Sequence, residues 1–455
     1  MPTVTVCVGQ AGTQLGANLF ATLHSSKCNV DEHFRTSSQD GLSIPRSLLI
    51  DTEPKVILKA LEHNNALNTK NYKFLPANCV AQPPTSSSHI AKSGAGNNFA
   101  MGYSHHAPLL LPGITSGPLR SEIEHCDSLS SINIVHSAGG GTGSGCGTKL
   151  TECVKDIYGG KTEILNVVVL PFNTGEVIVQ DYNVLLTLGK LTVASDCVIT
   201  LENETLMNNC KRLYNLPNPQ TSHLNSFASE MLTGVFAGST NSPTPSKFTP
   251  QQTLRSTITS LVPTPQYKFP TLKHIPMVAP GSREFEPVVA WATLLKTMGG
   301  MQKLGRMFEG GGGAGAYGTN QSIVRNFSCA NVMFCRGGSH SPYTINSKDV
   351  ENVVVESSVV NWNSGSSNQA FTTCYAPVCP QTQLKKDDEK KSITLLTNNQ
   401  EILPVLDRYQ TRALAKFDSG AYLHRYEMHG IERGDFEESF RQVEQVMMDY
   451  QQMQL

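Results

Sequence analysis

The 455-residue sequence predicts an α/β protein. Its expected parts are an N-terminal doubly wound parallel sheet, a second α/β unit and a C-terminal helical hairpin. Three observations carry this prediction. Residues 164–170, Ile-Leu-Asn-Val-Val-Val-Leu, form a nearly unbroken apolar run that Pro171 ends, the mark of a strand buried on both faces. Short apolar runs alternate with segments of helical period from residue 3 to about 213. A glycine-rich stretch, Gly139–Gly145, lies between one such run and a helix start. Ligands of wound sheets gather at those strand ends.

In chain order, residues 3–8 read as a strand that Gly9-Gln10-Ala11-Gly12 breaks. Residues 13–24 follow as a helix, with Leu15, Leu19, Phe20 and Leu23 at helical spacing. Residues 47–52 read as a strand and 54–63 as a helix with Pro54 in its first turn. The pattern then gives strand 131–136, helix 146–157, strand 164–170, helix 177–191, strand 197–201 and helix 204–213. Residues 238–252, rich in Ser, Thr and Pro, read as a linker. Apolar runs at 327–335 and 370–376 are the strands of the second unit, and 384–391 is a charged turn. Helices are expected at 401–416 and 434–453, the latter with Phe436, Phe440, Val443, Met447 and Tyr450 on one stripe that reads as core packing. The expected division is 1–240 for the N-terminal wound-sheet domain, 241–380 for the intermediate α/β domain and 381–455 for the C-terminal helical region.

Composition narrows the function. A net charge of −1 gives no electrostatic case for nucleic acid or an anionic membrane. No run approaches the ~18 apolar residues of a membrane span, and the N-terminus lacks the basic and apolar regions of a signal peptide. The 12 cysteines form no C-x-x-C pair, so metal-ligand spacing is absent and a cytosolic protein with reduced thiols is expected. Charged residues are 16% of the chain, against roughly 25% in typical domains. That suits a chain buried against partners and equally suits compositional drift.

The glycine stretch has the chemistry of a phosphate cradle. Glycines let the backbone come close to phosphate, while free N–H groups and the dipole of the next helix favour negative charge. Thr142 and Ser144 add hydroxyls. No Gly-Lys-Ser/Thr occurs, so this is not a Walker loop. Matches to G-x-G-x-x-G fall only within 310–318, a low-complexity stretch that reads as a loop. Whether 85–92 and 310–318 are ordered is open at this point.

Taken together, the ordered segments resemble the tubulin superfamily across nearly the whole chain. Gly9-Gln10-Ala11-Gly12-Thr13-Gln14 is similar to its first nucleotide loop, Asp51-Thr52-Glu53-Pro54 to the second, and Gly94-Ala95-Gly96-Asn97-Asn98 to the third. Ala138–Gly145 resembles the signature loop, and Val262-Pro263-Thr264-Pro265 and 421–440 resemble later segments. Residues 53–57 and 174–183 look most like the delta-tubulin branch.

The resemblance implies a site for GTP or GDP with Mg²⁺. Gly9, Gln10, Ala11 and Gln14 would meet the phosphates and metal, and Glu53 would hold Mg²⁺ directly or through water. Ala95, Gly96 and Asn97 would donate to the terminal phosphate. Ser137, Gly139, Gly140, Gly141, Thr142, Gly143 and Ser144 would cradle the phosphates. Glu176 matches the loop beside the ribose, although the ribose-contacting acid of the family is Gln180 here. Asn203 and Asn225 would read guanine; taken singly, each Asn reads as a helix cap or turn residue. Implied partners are other tubulins and centriolar microtubules, in building or stabilising triplets at centrioles and basal bodies and in cilium formation, with no nucleic acid and no membrane.

Two departures shape the expectations. Where the family stacks an aromatic ring on the base, this chain has Thr221. Where the family offers an acid to a neighbour's nucleotide, this chain has Ser256, and no Asp or Glu occurs from 231 to 283. No residue is therefore named as catalytic, and any GTPase activity is expected to be weak. The neutral end, Tyr-Gln-Gln-Met-Gln-Leu, also lacks the acidic tail of lattice tubulins, pointing to a specialised role. The rivals are a metabolic enzyme on a wound sheet, a conventional lattice subunit and a binding-only homologue. The first needs a convergent catalytic set, which the His105-His106 pair does not supply.

Overall fold

The computed structural model describes residues 1–26, 30–67, 72–81, 94–175, 177–214, 216–240, 251–276, 291–307, 327–337, 350, 353, 371–376 and 391–453. Six strands of the N-terminal part lie parallel: β1 (Thr3–Val8), β2 (Ser47–Asp51), β3 (Cys79–Ala81), β4 (Ser131–Ser137), β5 (Glu163–Leu170) and β6 (Cys197–Glu202). Their spatial order is β6-β5-β4-β1-β2-β3. Cys7 of β1 faces Val135 on one side and Leu49 on the other. All six residues of β1, all five of β2 and seven of eight in β5 are buried, as unbroken apolar runs require.

Helices cover both faces. Among the described residues, besides the one-turn helices Val30–His33 and His424–Glu427, they are α1 (Gly9–Ser26), α2 (Pro54–Leu67), α3 (Ala107–Ser116), α4 (Pro118–Glu124), α5 (Gly147–Tyr158), α6 (Gln180–Ala194), α7 (Asn203–Leu213), α8 (Thr221–Phe236), α9 (Leu254–Leu261), α10 (Trp291–Met307), α11 (Leu403–Asp418) and α12 (Arg433–Gln451). On one face α1, α7, α8 and α9 share a core that includes Leu15, Phe20, Phe227 and Ile258. On the other, Leu110, Ile114, Leu150 and Val154 pack against β1, β2 and β4. Helix α6 is buried nearly all round because it lies between the sheet and α12. At their crossing a Cβ on Gly189 would stand 2.7 Å from Ser439 Cβ, so only glycine allows this approach.

The strands of the second unit extend the same sheet. β7 (Thr271–Pro276) meets β6 through the single pair Thr271–Thr200 and runs antiparallel to β10 (Lys391–Asn399). β10 pairs with β8 (Ser328–Gly337), and β8 runs parallel to β9 (Phe371–Ala376). Twelve strands result among the described residues, one edge being the two-residue pieces Ser239–Thr240 and Gln251–Gln252 at the ends of the expected linker and the other β3. The charged turn at 384–390, the stretches 85–92 and 310–318 and linker residues 241–250 lie outside the described residues.

Two readings are corrected. Gly9–Gly12 ends the strand as expected but is not a loop before a helix at residue 13: α1 starts at Gly9 itself, whose φ of +77° turns the strand straight into the helix. Likewise Gly139–Gly145 is not one long loop. A short turn ends at Gly141, and Thr142–Cys146 forms a π-helical turn leading into α5. The C-terminal stripe packs as expected. Phe436, Phe440, Val443 and Tyr450 are buried in one core with α6 and α11, with Met447 partly buried beside them.

Candidate nucleotide site

A cavity of about 560 Å³ opens at the carboxyl ends of β1, β2 and β4, within the size range of small-ligand sites. Its floor is backbone. Gln10, Ala11 and Gln14 come from the first turns of α1, whose free N–H groups point outward from the strand end. Gly140, Gly141, Thr142 and Gly143 come from the turn after β4, with Ser137 at that strand's last position.

Glycine is required here by space. A Cβ on Gly143 would lie 2.6 Å from Ser137 Oγ and 2.8 Å from the Ser137 carbonyl. One on Gly12 would lie 2.3 Å from the Val135 carbonyl. Opposite, Ala95, Gly96 and Asn97 form a third wall. Gly96 and Asn97 both take left-handed backbone, with φ of +55° and +53°. For Asn97 this is an uncommon conformation that surrounding contacts must hold.

The far end of the cavity is less polar. Asn203 opens α7 and Asn225 lies one turn into α8, so two helix starts bring both amides to one wall. Asn225 Nδ2 is 3.5 Å from Gln14 Oε1. Thr221, Leu224, Val169 and Phe172 complete this end.

Gly139 lies in an adjoining recess of about 420 Å³, lined also by Ala11, Gly140, Phe172, Gly175 and Gln180. Gln180 Nε2 donates to the Phe172 carbonyl at 2.9 Å, and a Cβ on Gly175 would collide with its Oε1. The amide thus braces the 172–175 backbone. Two expected residues stand behind the wall. Gly9 is buried against Gly143, and the buried Ser144 hydroxyl donates to the Gly140 carbonyl, which fixes the turn from within. Glu176 lies outside the described residues.

Charge is distributed unusually for an anion site. Among the described lining residues there are two carboxylates, Asp51 and Glu53, and no Lys or Arg. Asp51 is buried and accepts from the Glu53 N–H at 2.9 Å. Burial first, and then the Glu53 charge, push its carboxyl up to about 6. Glu53 is more open, pairs with Lys55 at 2.7 Å and lies against Gly94. Thr142 Oγ1 and Thr52 Oγ1 are 2.9 Å apart, tying the second loop to the cradle.

Several contributors escaped the sequence reading. Asp51 was quoted with its loop but not assigned a role, although a buried acid at a strand end is a signal. Phe172, Val169 and Leu224 look like ordinary core residues in sequence. Asn183 carries no local signal: it reaches the site from the first turn of α6, where its side chain hydrogen-bonds Asn97 and Gly139.

The family described as Tubulin/FtsZ family, GTPase domain, matches residues 2–211. The tubulin delta chain of Macaca fascicularis is 32% identical over 483 aligned positions, covering 99% of both chains. The human tubulin delta chain is similar to the same degree. The tubulin beta chain of Candida albicans is 26% identical, over 99% of this chain and 94% of that protein.

Proposed function

The chain belongs to the tubulin family and resembles delta-tubulin chains over its whole length, and from that premise we propose that it binds GTP or GDP with Mg²⁺ and acts through assembly with other tubulins. One observation carries the nucleotide part: three glycine-bearing backbone segments and two asparagine amides converge on a single cavity. Backbone N–H groups suit the phosphates, and Asn203 and Asn225 suit the donors and acceptors of guanine.

The donor set also fits a divalent cation. Two carboxylates beside a polyphosphate, with no Lys or Arg lining the wall, leave the charge unbalanced. Asp51 and Glu53 would hold Mg²⁺ directly or through water. When bound, the cation would neutralise phosphate charge. Released nucleotide tests this reading: purified protein, denatured and chromatographed, is expected to yield stoichiometric GTP or GDP. An empty protein that takes up no GTP with added Mg²⁺ overturns it.

Base recognition is expected to be weaker than in a site that stacks an aromatic ring. Thr221 occupies the stacking position at the start of α8. Base–aromatic stacking is worth on the order of 1–3 kcal/mol. Thr221→Tyr should therefore lower the GTP dissociation constant by about tenfold, read by equilibrium titration. Unchanged affinity would show that Phe172, on the same cavity, already supplies this contact.

Hydrolysis on a neighbouring subunit is not expected from this chain alone. Ser256 sits at the third position of α9, and its hydroxyl closes a capping box. It accepts from the Thr253 N–H at 3.0 Å and donates to the Thr253 carbonyl at 2.8 Å. A hydroxyl so engaged is a poor general base. GTP turnover that rises with protein concentration and survives Ser256→Ala would refute this. A partner bearing the acid would restore turnover, which suits a heterotypic role such as building or stabilising centriolar triplet microtubules at basal bodies. Loss of triplets on depletion, restored by the wild-type chain, is the cellular test.

A further inference from the structure

We propose that Asn183 is a positioning residue for the terminal phosphate, and that through Tyr426 it links nucleotide affinity to the C-terminal helical region; this rests on the guanine-nucleotide reading above. Asn183 lies in the first turn of α6 and is fully buried. Its amide uses every hydrogen-bonding position it has. Nδ2 donates to the Asn97 carbonyl at 2.9 Å and to the Gly139 carbonyl at 2.8 Å. Oδ1 accepts from the Phe99 N–H at 2.9 Å and from Tyr426 Oη at 2.7 Å.

These partners come from three separate segments. Asn97 closes the left-handed turn of the third wall and Phe99 follows it, Gly139 begins the phosphate turn, and Tyr426 belongs to the one-turn helix His424–Glu427 between α11 and α12. One amide therefore fixes the spacing of the two walls that face the phosphates. It also holds Asn97, whose backbone needs outside support.

The C-terminal turn is joined to the same wall at further points. Asn98 Nδ2 donates to the Arg425 carbonyl at 3.0 Å, and its Oδ1 accepts from the Ala100 N–H at 2.8 Å. The His105 and His429 rings meet edge to face at 4.9 Å between centroids. A terminal phosphate that orders Ala95–Asn97 would thereby order residues 425–430. By reciprocity, a partner docking on the C-terminal helices would change affinity for GTP.

The two substitutions separate this role from packing. Tyr426→Phe keeps the ring and removes one bond to Oδ1. Asn183→Asp keeps the shape but replaces two donors by a carboxylate facing two carbonyls. Dissociation constants for fluorescent GTP and GDP analogues, and hydrogen exchange of residues 421–431 with and without GTP, are the readouts. Tyr426→Phe is expected to weaken GTP binding by about tenfold and GDP binding much less. GTP should slow exchange at 421–431 in the wild type and not in Tyr426→Phe. Equal losses for both nucleotides, or unchanged affinity beside a lower melting temperature, would make Asn183 a core residue only and overturn the proposal. If Asn183→Asp does not fold, Tyr426→Phe decides alone. A wild-type protein that takes up no nucleotide overturns this proposal together with the guanine reading, whereas one that binds but shows no GTP-specific loss in Tyr426→Phe overturns this proposal alone.

Discussion

Gly141→Ala is expected to leave the purified protein without retained guanine nucleotide. Gly141 has φ of −83° and ψ of −50°, a conformation open to any residue, so the conflict is one of space. An added Cβ would lie 2.5 Å from the Ala95 carbonyl oxygen, 2.7 Å from the Asn98 nitrogen and 2.8 Å from Ala95 Cβ. Two of these are backbone atoms of the third wall and cannot swing aside as a flexible side chain could. The wall must move, and with it the N–H groups proposed to meet the terminal phosphate. Overpacking of this kind costs roughly 1–3 kcal/mol, or about 10- to 100-fold in affinity if it falls on the bound state. Gly113→Ala is the control: nothing lies within 4 Å of its added Cβ, and it sits in a helix where alanine is preferred. The measurement is nucleotide content per mole after denaturation, with circular dichroism to confirm folding. A Gly141→Ala protein carrying the wild-type amount would show that the cradle is not the binding surface.

Acidification is expected to destabilise the fold steeply below pH 6.5. His136 is wholly buried beside the phosphate turn, with Asn166 Nδ2 3.1 Å from its Nε2. Burial pushes its pKa down to about 4. His274 lies in the sheet core with Nδ1 2.8 Å from Thr394 Oγ1. Burial, and then the Arg336 guanidinium, push it down to about 3. An unfolded imidazole takes up its proton near 6.5, whereas these folded sites refuse it until pH about 4 and 3. Between those values the unfolded chain holds more protons, so lowering the pH favours unfolding. Each histidine contributes up to about 1.4 kcal/mol per pH unit and less near pH 6.5, so the pair removes roughly 3 kcal/mol between pH 6.5 and 5, of which the raised Asp51 carboxyl returns about 1 kcal/mol. Urea unfolding at several pH values reads this directly. His274→Gln should flatten about half of the slope, and a free energy level from pH 6.5 to 5 would contradict the assignment.

Much of this protein was legible in its sequence. The apolar runs became buried strands at nearly their expected limits, and the glycine segments 9–12 and 139–141 lie just after the carboxyl ends of β1 and β4. That legibility has a local cause, because a strand buried on both faces must be apolar along its length. Local signals failed where the partner is distant. The helix start at Gly9 was hidden because glycine reads as a breaker, while its +77° φ is what joins β1 to α1 without a loop. Strands β7 and β10 were missed; mixed sequences such as Thr-Leu-Lys-His-Ile-Pro become strand only by pairing with each other.

By itself, then, the sequence determined the parallel sheet, the placing of the glycine segments after β1 and β4 and the lack of Asp and Glu along residues 231–283, since these depend on residue type and order. Tertiary structure alone decided that Asp51 is buried with its carboxyl raised to about 6, that Ser144 and Gly9 brace the glycine turn from behind, and that Asn183 ties two walls of the cavity to Tyr426. Those facts depend on which segments meet, and residues 97, 139, 183 and 426 meet only because α6 is clasped between the sheet and the C-terminal helices.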